Sequence, residues 1–174
     1  MSRIKKLVLT AVCAALCVVV PMAFHAIPNA GSIFLPMHIP VLLCGMLCSW
    51  PLGLICGLIG PLLSSLITAM PAAAVLPGMM VECAAYGCVS GLLLRYIRTG
   101  RLYADLYLSL VPAMLLGRVI SGIAKALIFT PGISLSAWAI ASFVTGLPGI
   151  AVQLALLPVL VAGLQRAKLI PRRY

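Results

Sequence analysis

The sequence predicts an all-α integral membrane protein: a single domain over residues 1–174 with six transmembrane helices, both termini cytoplasmic and the first extracellular loop acting as a lid. Three observations predict it. Hydrophobic residues make up 64% of the chain and charged residues 8%, with a mean hydropathy of +1.23; a water-soluble domain carries about 25% charged residues to hydrate the surface over its core. The apolar stretches suffice for about six crossings at roughly 20 residues each. Lys and Arg, finally, collect in alternate loops, as cytoplasmic loops do in membrane proteins.

The spans fall where charge clusters and Pro/Gly/Asn-rich stretches interrupt the apolar runs. Arg3, Lys5 and Lys6 precede a run near 7–27 that is too long for a signal peptide and reads as a retained first helix. An uncharged loop over 25–37, with Pro28, Asn29, Gly31, Ser32 and Pro36 among its turn formers, follows as a cover for a buried pocket. Span two, near 38–49, is short for a crossing and is joined through Ser49, Trp50 and Pro51 to span three, near 52–69, as a tight helical hairpin. Spans four, five and six lie near 76–94, 105–129 and 137–164.

The cations test this division. Arg3, Lys5 and Lys6, then Arg95, Arg98 and Arg101, then Arg166, Lys168, Arg172 and Arg173 fall on one side of a six-span chain, whereas loops 28–37, 70–75 and 130–136 hold no Lys or Arg. A net charge of +10 on a soluble protein would point to nucleic acid; here it reports topology, with the lipid bilayer as partner and no nucleic acid. The same charges suit anionic lipid at the membrane surface. Cys13, Cys17, Cys44, Cys48, Cys56, Cys83 and Cys88 all lie within apolar runs and are odd in number, so they read as small packing residues. No metal or other cofactor is expected.

Two cations and one acid lie inside spans, away from their end residues: Arg118 and Lys125 in span five, Glu82 in span four. An ionisable group in hydrocarbon is costly unless it is paired or faces a wet cavity, so each is a candidate for a ligand site. Arg118 and Lys125 are seven residues apart and share a helix face, with Ser121 and Gly122 between them. Glu82 can meet both in the outer half of the membrane. An internal Glu82–Arg118 or Glu82–Lys125 pair that only fixes helix packing is the competing reading. One acid leaves one cation over, however, which favours an anionic ligand such as a carboxylate or phosphate held by the Arg fork. His38 and Asn29 at the pocket mouth, Tyr86 one turn from Glu82 and Gln153 in span six complete the candidate substrate-binding set. Trp138 reads as an interfacial anchor in preference to an aromatic wall of the pocket, and Gly53 with Gly57 as an internal close-packing pair.

Catalytic residues are not expected. The chain lacks a phosphate-binding Lys loop, a nucleophile–base pair and an acid-rich metal site, and it shows no internal repeat. Energy for transport must then come from a partner. A stand-alone ion- or proton-coupled carrier using Glu82 with Arg118 is the competing class.

This constellation resembles the substrate-binding S components of energy-coupling factor (ECF) vitamin transporters over nearly the whole chain. Ala11 and Ala15 match that family's alanine-x-x-x-alanine motif on helix one, which docks the T component. Phe34-Leu35-Pro36-Met37-His38-Ile39-Pro40, Gly60-Pro61-Leu62-Leu63-Ser64-Ser65 and Glu82-Cys83-Ala84-Ala85-Tyr86-Gly87 resemble a subgroup associated with pantothenate and related vitamins. The resemblance implies a subunit of the bacterial or archaeal plasma membrane. It captures a vitamin outside, associates with a T component and two ATPases, and topples to open inward. Arg118 with Lys125 suits the carboxylate of pantothenate, lipoate, niacin or biotin; pyridoxine and the precursors of thiamine and queuosine, and cobalamin, remain open.

Overall fold

The computed structural model describes residues 1–23, 30–129 and 134–170. All regular structure among them is helical: α1 (Arg3–Ala23), α2 (Ala30–Phe34), α3 (His38–Cys48), α4 (Trp50–Thr68), α5 (Leu76–Tyr96), α6 (Leu102–Ala124), α7 (Leu135–Ala139) and α8 (Leu147–Arg166). A π-helical turn over Lys125–Phe129 prolongs α6, and another over Ile140–Thr145 leads from α7 towards α8.

Five of these helices are long and apolar enough to cross a membrane: α1, α4, α5, the joined α6 and π turn, and α8. The expected second span is the exception. α3 has 11 residues, about 16 Å of rise and hence about half of a 30 Å hydrocarbon core. It stops because Ser49 adopts φ 121°, which reverses the chain directly into α4, with Pro51 in the first turn where its missing N–H costs nothing. The loop expected over 25–37 contains the short helix α2. The sixth span begins later than expected, at Leu147, because the chain before it is divided between α7 and a π turn.

α5 is the central helix, packed chiefly against α4 and α6 and also against α3. Glycines bring these backbones together. A Cβ on Gly87 of α5 would lie 2.5 Å from the Gly53 carbonyl carbon of α4, and one on Gly57 would lie 2.5 Å from the Ala84 nitrogen. Gly53 and Gly57 therefore form the internal pair that their spacing predicts, the membrane counterpart of a small-residue seam. Cys13, Cys17, Cys44, Cys48, Cys56 and Cys83 fill one buried cluster with Val41 among α1, α3, α4 and α5, all as free thiols. Outward faces carry Leu7, Val12 and Val19 of α1, Ile59 and Leu66 of α4, Leu115 of α6 and Val159 of α8; such an apolar perimeter suits lipid as the surrounding solvent.

The bundle has two unlike ends. Lys6, Arg95 and the Ser49–Trp50 turn line a common cleft at one. At the other, α2 rests on α8, where a Cβ on Gly149 would lie 2.8 Å from the Ile33 oxygen.

Candidate functional site

Buried polar residues of three helices, His38, Tyr86 and Ser121, gather around Glu82. Helical spacing places Tyr86 one turn along α5 and aligns Arg118, Ser121 and Lys125 along α6. Glu82 Oε1 accepts the Tyr86 hydroxyl at 3.2 Å and lies 3.6 Å from His38 Nε2. Its other oxygen, Oε2, accepts the Ser121 hydroxyl at 3.3 Å and lies 3.8 Å from Lys125 Nζ. The acid is thus surrounded by donors from α3, α5 and α6, and its side chain is only 13% exposed.

Of the two cations the sequence offered to Glu82, Lys125 is the one within ion-pair distance, and His38 lies at a similar distance. The Lys125 side chain is 26% exposed. Its stem crosses Gly78 of α5, where a Cβ would meet Lys125 Cε at 2.5 Å, and the π turn that starts at Lys125 belongs to a class of helix distortion found often at functional sites.

Arg118 has a different environment. It is 3% exposed, and its Nε and Nη2 have no hydrogen-bond partner among the described residues. The guanidinium carbon sits 5.7 Å from the centroid of the Phe143 ring, an arrangement that stabilises a cation through the ring face. A Cβ at Gly146 would lie 3.0 Å from Nη2, so the backbone entering α8 closes the other side. Gly117 leaves room for the Tyr86 ring to lie against α6; that ring meets His38 edge-on, with centroids 5.1 Å apart.

Gln153 is fully buried on α8 and donates from Nε2 to the Leu35 carbonyl at 3.4 Å. That carbonyl also accepts the His38 backbone N–H at 3.1 Å. Leu35 has φ 51°, a conformation that costs a non-glycine residue about 1 kcal/mol or more and persists where surrounding contacts hold it. Gln153, the segment after α2 and His38 are thereby tied together. Asn29, also expected in the substrate set, lies outside the described residues.

Trp138, expected as an interfacial anchor, packs against α6 and Phe143. A Cβ on Gly122 would lie 2.5 Å from its Cζ2 atom, and the ring meets Phe143 edge-on at 5.9 Å. Trp138 and Phe143 form an aromatic wall beside Arg118. Phe143, Ser121 as a donor to Glu82, and the glycines at 78, 117 and 146 were not legible as site residues. Their roles depend on which helices meet, and only Ser121 had a signal, its position between Arg118 and Lys125.

A family model described as "ECF transporter, substrate-specific component" matches residues 5–161. The chain belongs to this family. Neither the curated proteins nor the solved structures searched gave a match. Substrate-specific ECF components are membrane transport subunits rather than enzymes, and they work with a T component and ATPases. In this ECF component Ala11 and Ala15 are exposed on α1, on the side away from the buried Cys13 and Cys17, while Val18, one turn beyond Ala15 on their own face, is buried.

Proposed function

We propose that this ECF component captures a small vitamin or vitamin precursor bearing a carboxylate, with pantothenate as the first choice, for ATP-driven uptake with a T component and two ATPases. The observation that carries the carboxylate is Arg118: a buried guanidinium with two polar atoms unpartnered among the described residues, beside an acid that has Lys125 within ion-pair distance. A bound carboxylate supplies the missing acceptors as a forked, charge-assisted pair.

In this reading the α2 end faces outward and the basic end lies in the cytoplasm, so six segments cross or enter the membrane and the cations segregate as cytoplasmic loops require. The ligand's carboxylate sits against Arg118, with the Phe143–Trp138 wall beside it. The Glu82 cluster positions Tyr86, His38 and Lys125, and the segment around α2 covers the occupied site. α1 then presents Ala11 and Ala15 to a partner helix, where small side chains permit close approach. The ATPases provide the energy in a bacterial or archaeal plasma membrane.

The test is thermal unfolding of the detergent-purified chain against a vitamin panel. Pantothenate or another acid at 100-fold excess over its Kd is expected to stabilise by about 2.7 kcal/mol. Absence of a shift with every vitamin overturns the capture role. Ala11→Trp or Ala15→Trp is expected to abolish co-purification of the T component and ATPases while that ligand shift is retained; transport by the purified chain alone in liposomes would favour a stand-alone carrier.

A further inference from the structure

The unpartnered polar atoms differ in kind. Arg118 Nε and Nη2 are donors, whereas Gln153 Oε1 is an acceptor, and among the described residues none of the three has a hydrogen-bond partner, nor does either ring nitrogen of His38, which can donate or accept. The orientation of the Gln153 amide follows from its neighbour: the Leu35 carbonyl 3.4 Å away is an acceptor only, so the NH2 group must face it and the oxygen must face elsewhere. A carboxylate satisfies Arg118 but offers nothing to Gln153 Oε1. That atom requires a hydroxyl or an amide N–H, because a buried acceptor left unmade is costly.

The two needs also lie apart. Gly146, Gly149 and Gln153 recur on one face of α8. The first touches Arg118 Nη2, the second the Ile33–Phe34 backbone, and the third reaches Leu35. Seven residues of helix separate Gly146 from Gln153, about 10 Å along the axis.

Resting on the carboxylate reading above, we propose that the site selects an elongated acid with a hydrogen-bond donor remote from its carboxylate, Arg118 holding the acid and Gln153 reading the donor, the backbone positions beside the two groups lying about 10 Å apart along the helix axis. Gln153 is then a specificity-determining residue. Hydroxylated or amide-bearing acids of this length fit; plain fatty acids leave Gln153 unpaired, and short aromatic acids fall short of it.

The experiment measures equilibrium binding of octanoate and its ω-hydroxy derivative to the full chain in detergent, with pantothenate and its alcohol analogue panthenol in parallel. The wild-type protein is expected to prefer the hydroxy acid by about tenfold or more. Gln153→Leu is expected to remove that preference by weakening the hydroxy acid while octanoate holds or gains, and Arg118→Gln to weaken both acids and pantothenate but not panthenol. If the wild-type protein binds both fatty acids equally, or neither, the proposal is overturned, and this measurement needs no variant to fold. Retained preference in Gln153→Leu also overturns it. Acid binding that depends on Arg118 without preference for the hydroxyl leaves the carboxylate reading standing; no binding of any acid, pantothenate included, defeats that reading itself.

Discussion

Replacing Arg118 with methionine is expected to separate the stability of the empty protein from its ability to bind. Methionine is a long, flexible apolar side chain that fills irregular space without charge. Without ligand the guanidinium carries two buried polar atoms that have no partner among the described residues, each costing about 1–3 kcal/mol. Its contact with Phe143 at 5.7 Å returns about 2 kcal/mol when desolvated. The balance runs from about zero to 4 kcal/mol in favour of the apolar residue, consistent with the roughly 1–4 kcal/mol gained where buried ionic groups are replaced by packed hydrophobics. Arg118→Met should thus unfold at a higher temperature than wild type when empty, by roughly 2 kcal/mol of stability. With ligand the order reverses, because truncating one partner of a buried charge pair costs about 2–5 kcal/mol, enough to erase the stabilisation at any practical ligand concentration. The assay is a pair of melting curves, with and without pantothenate or the acid the panel identifies. Loss of more than about 2 kcal/mol in the empty variant would show the guanidinium to be a structural tie, and an undiminished ligand shift would show that the anion binds elsewhere.

Two further outcomes are expected. Gly87→Val drives a side chain into the α4 backbone at Gly53 and should cost about 3 kcal/mol or more, at or beyond the upper range for overpacking. Gly163→Ala meets nothing within 4 Å and should be neutral or stabilising by up to about 1 kcal/mol, so comparison of the two melting temperatures isolates the helix contact from glycine's general cost. A membrane-impermeant maleimide should label Ser134→Cys in intact cells and Ser2→Cys only after permeabilisation. Both positions are exposed, and six of the seven native thiols are buried; labelling of both from one side would refute the proposed orientation.

Much of the architecture was legible because a bilayer imposes strict demands on sequence. Helices must be long and apolar, which located α1, α4, α5 and α6 within a few residues. α3 was legible as a short segment for the same reason, since Trp50-Pro51 arrives too soon for a full crossing. The division of the last segment into α7, a π turn and α8 was not. Leu135 through Thr145 is as apolar as the helix that follows, and hydropathy does not distinguish a helix that continues from one that breaks at Gly146.

Within the site, the costly residues were visible and their partners were not. Glu82, Arg118 and Lys125 stand out against hydrocarbon wherever they occur. Which cation pairs with Glu82 depends on angstrom-scale helix approach, set by Gly78, Gly117 and Gly87, glycines whose spacing alone resembles that of many membrane helices. Phe143 beneath Arg118 carries no periodic or charge signal.

Composition, span length and the alternation of basic loops decide that this is a multi-helix membrane protein with a few intramembrane charges to explain, because transfer of backbone and charge into lipid is a property of each segment. Pairing is a property of distances between segments. Packing alone therefore decides that Glu82 has Lys125 and His38 within ion-pair distance while, among the described residues, Arg118 Nε and Nη2 and Gln153 Oε1 are left without hydrogen-bond partners, and it is this leftover chemistry that supports the proposed ligand.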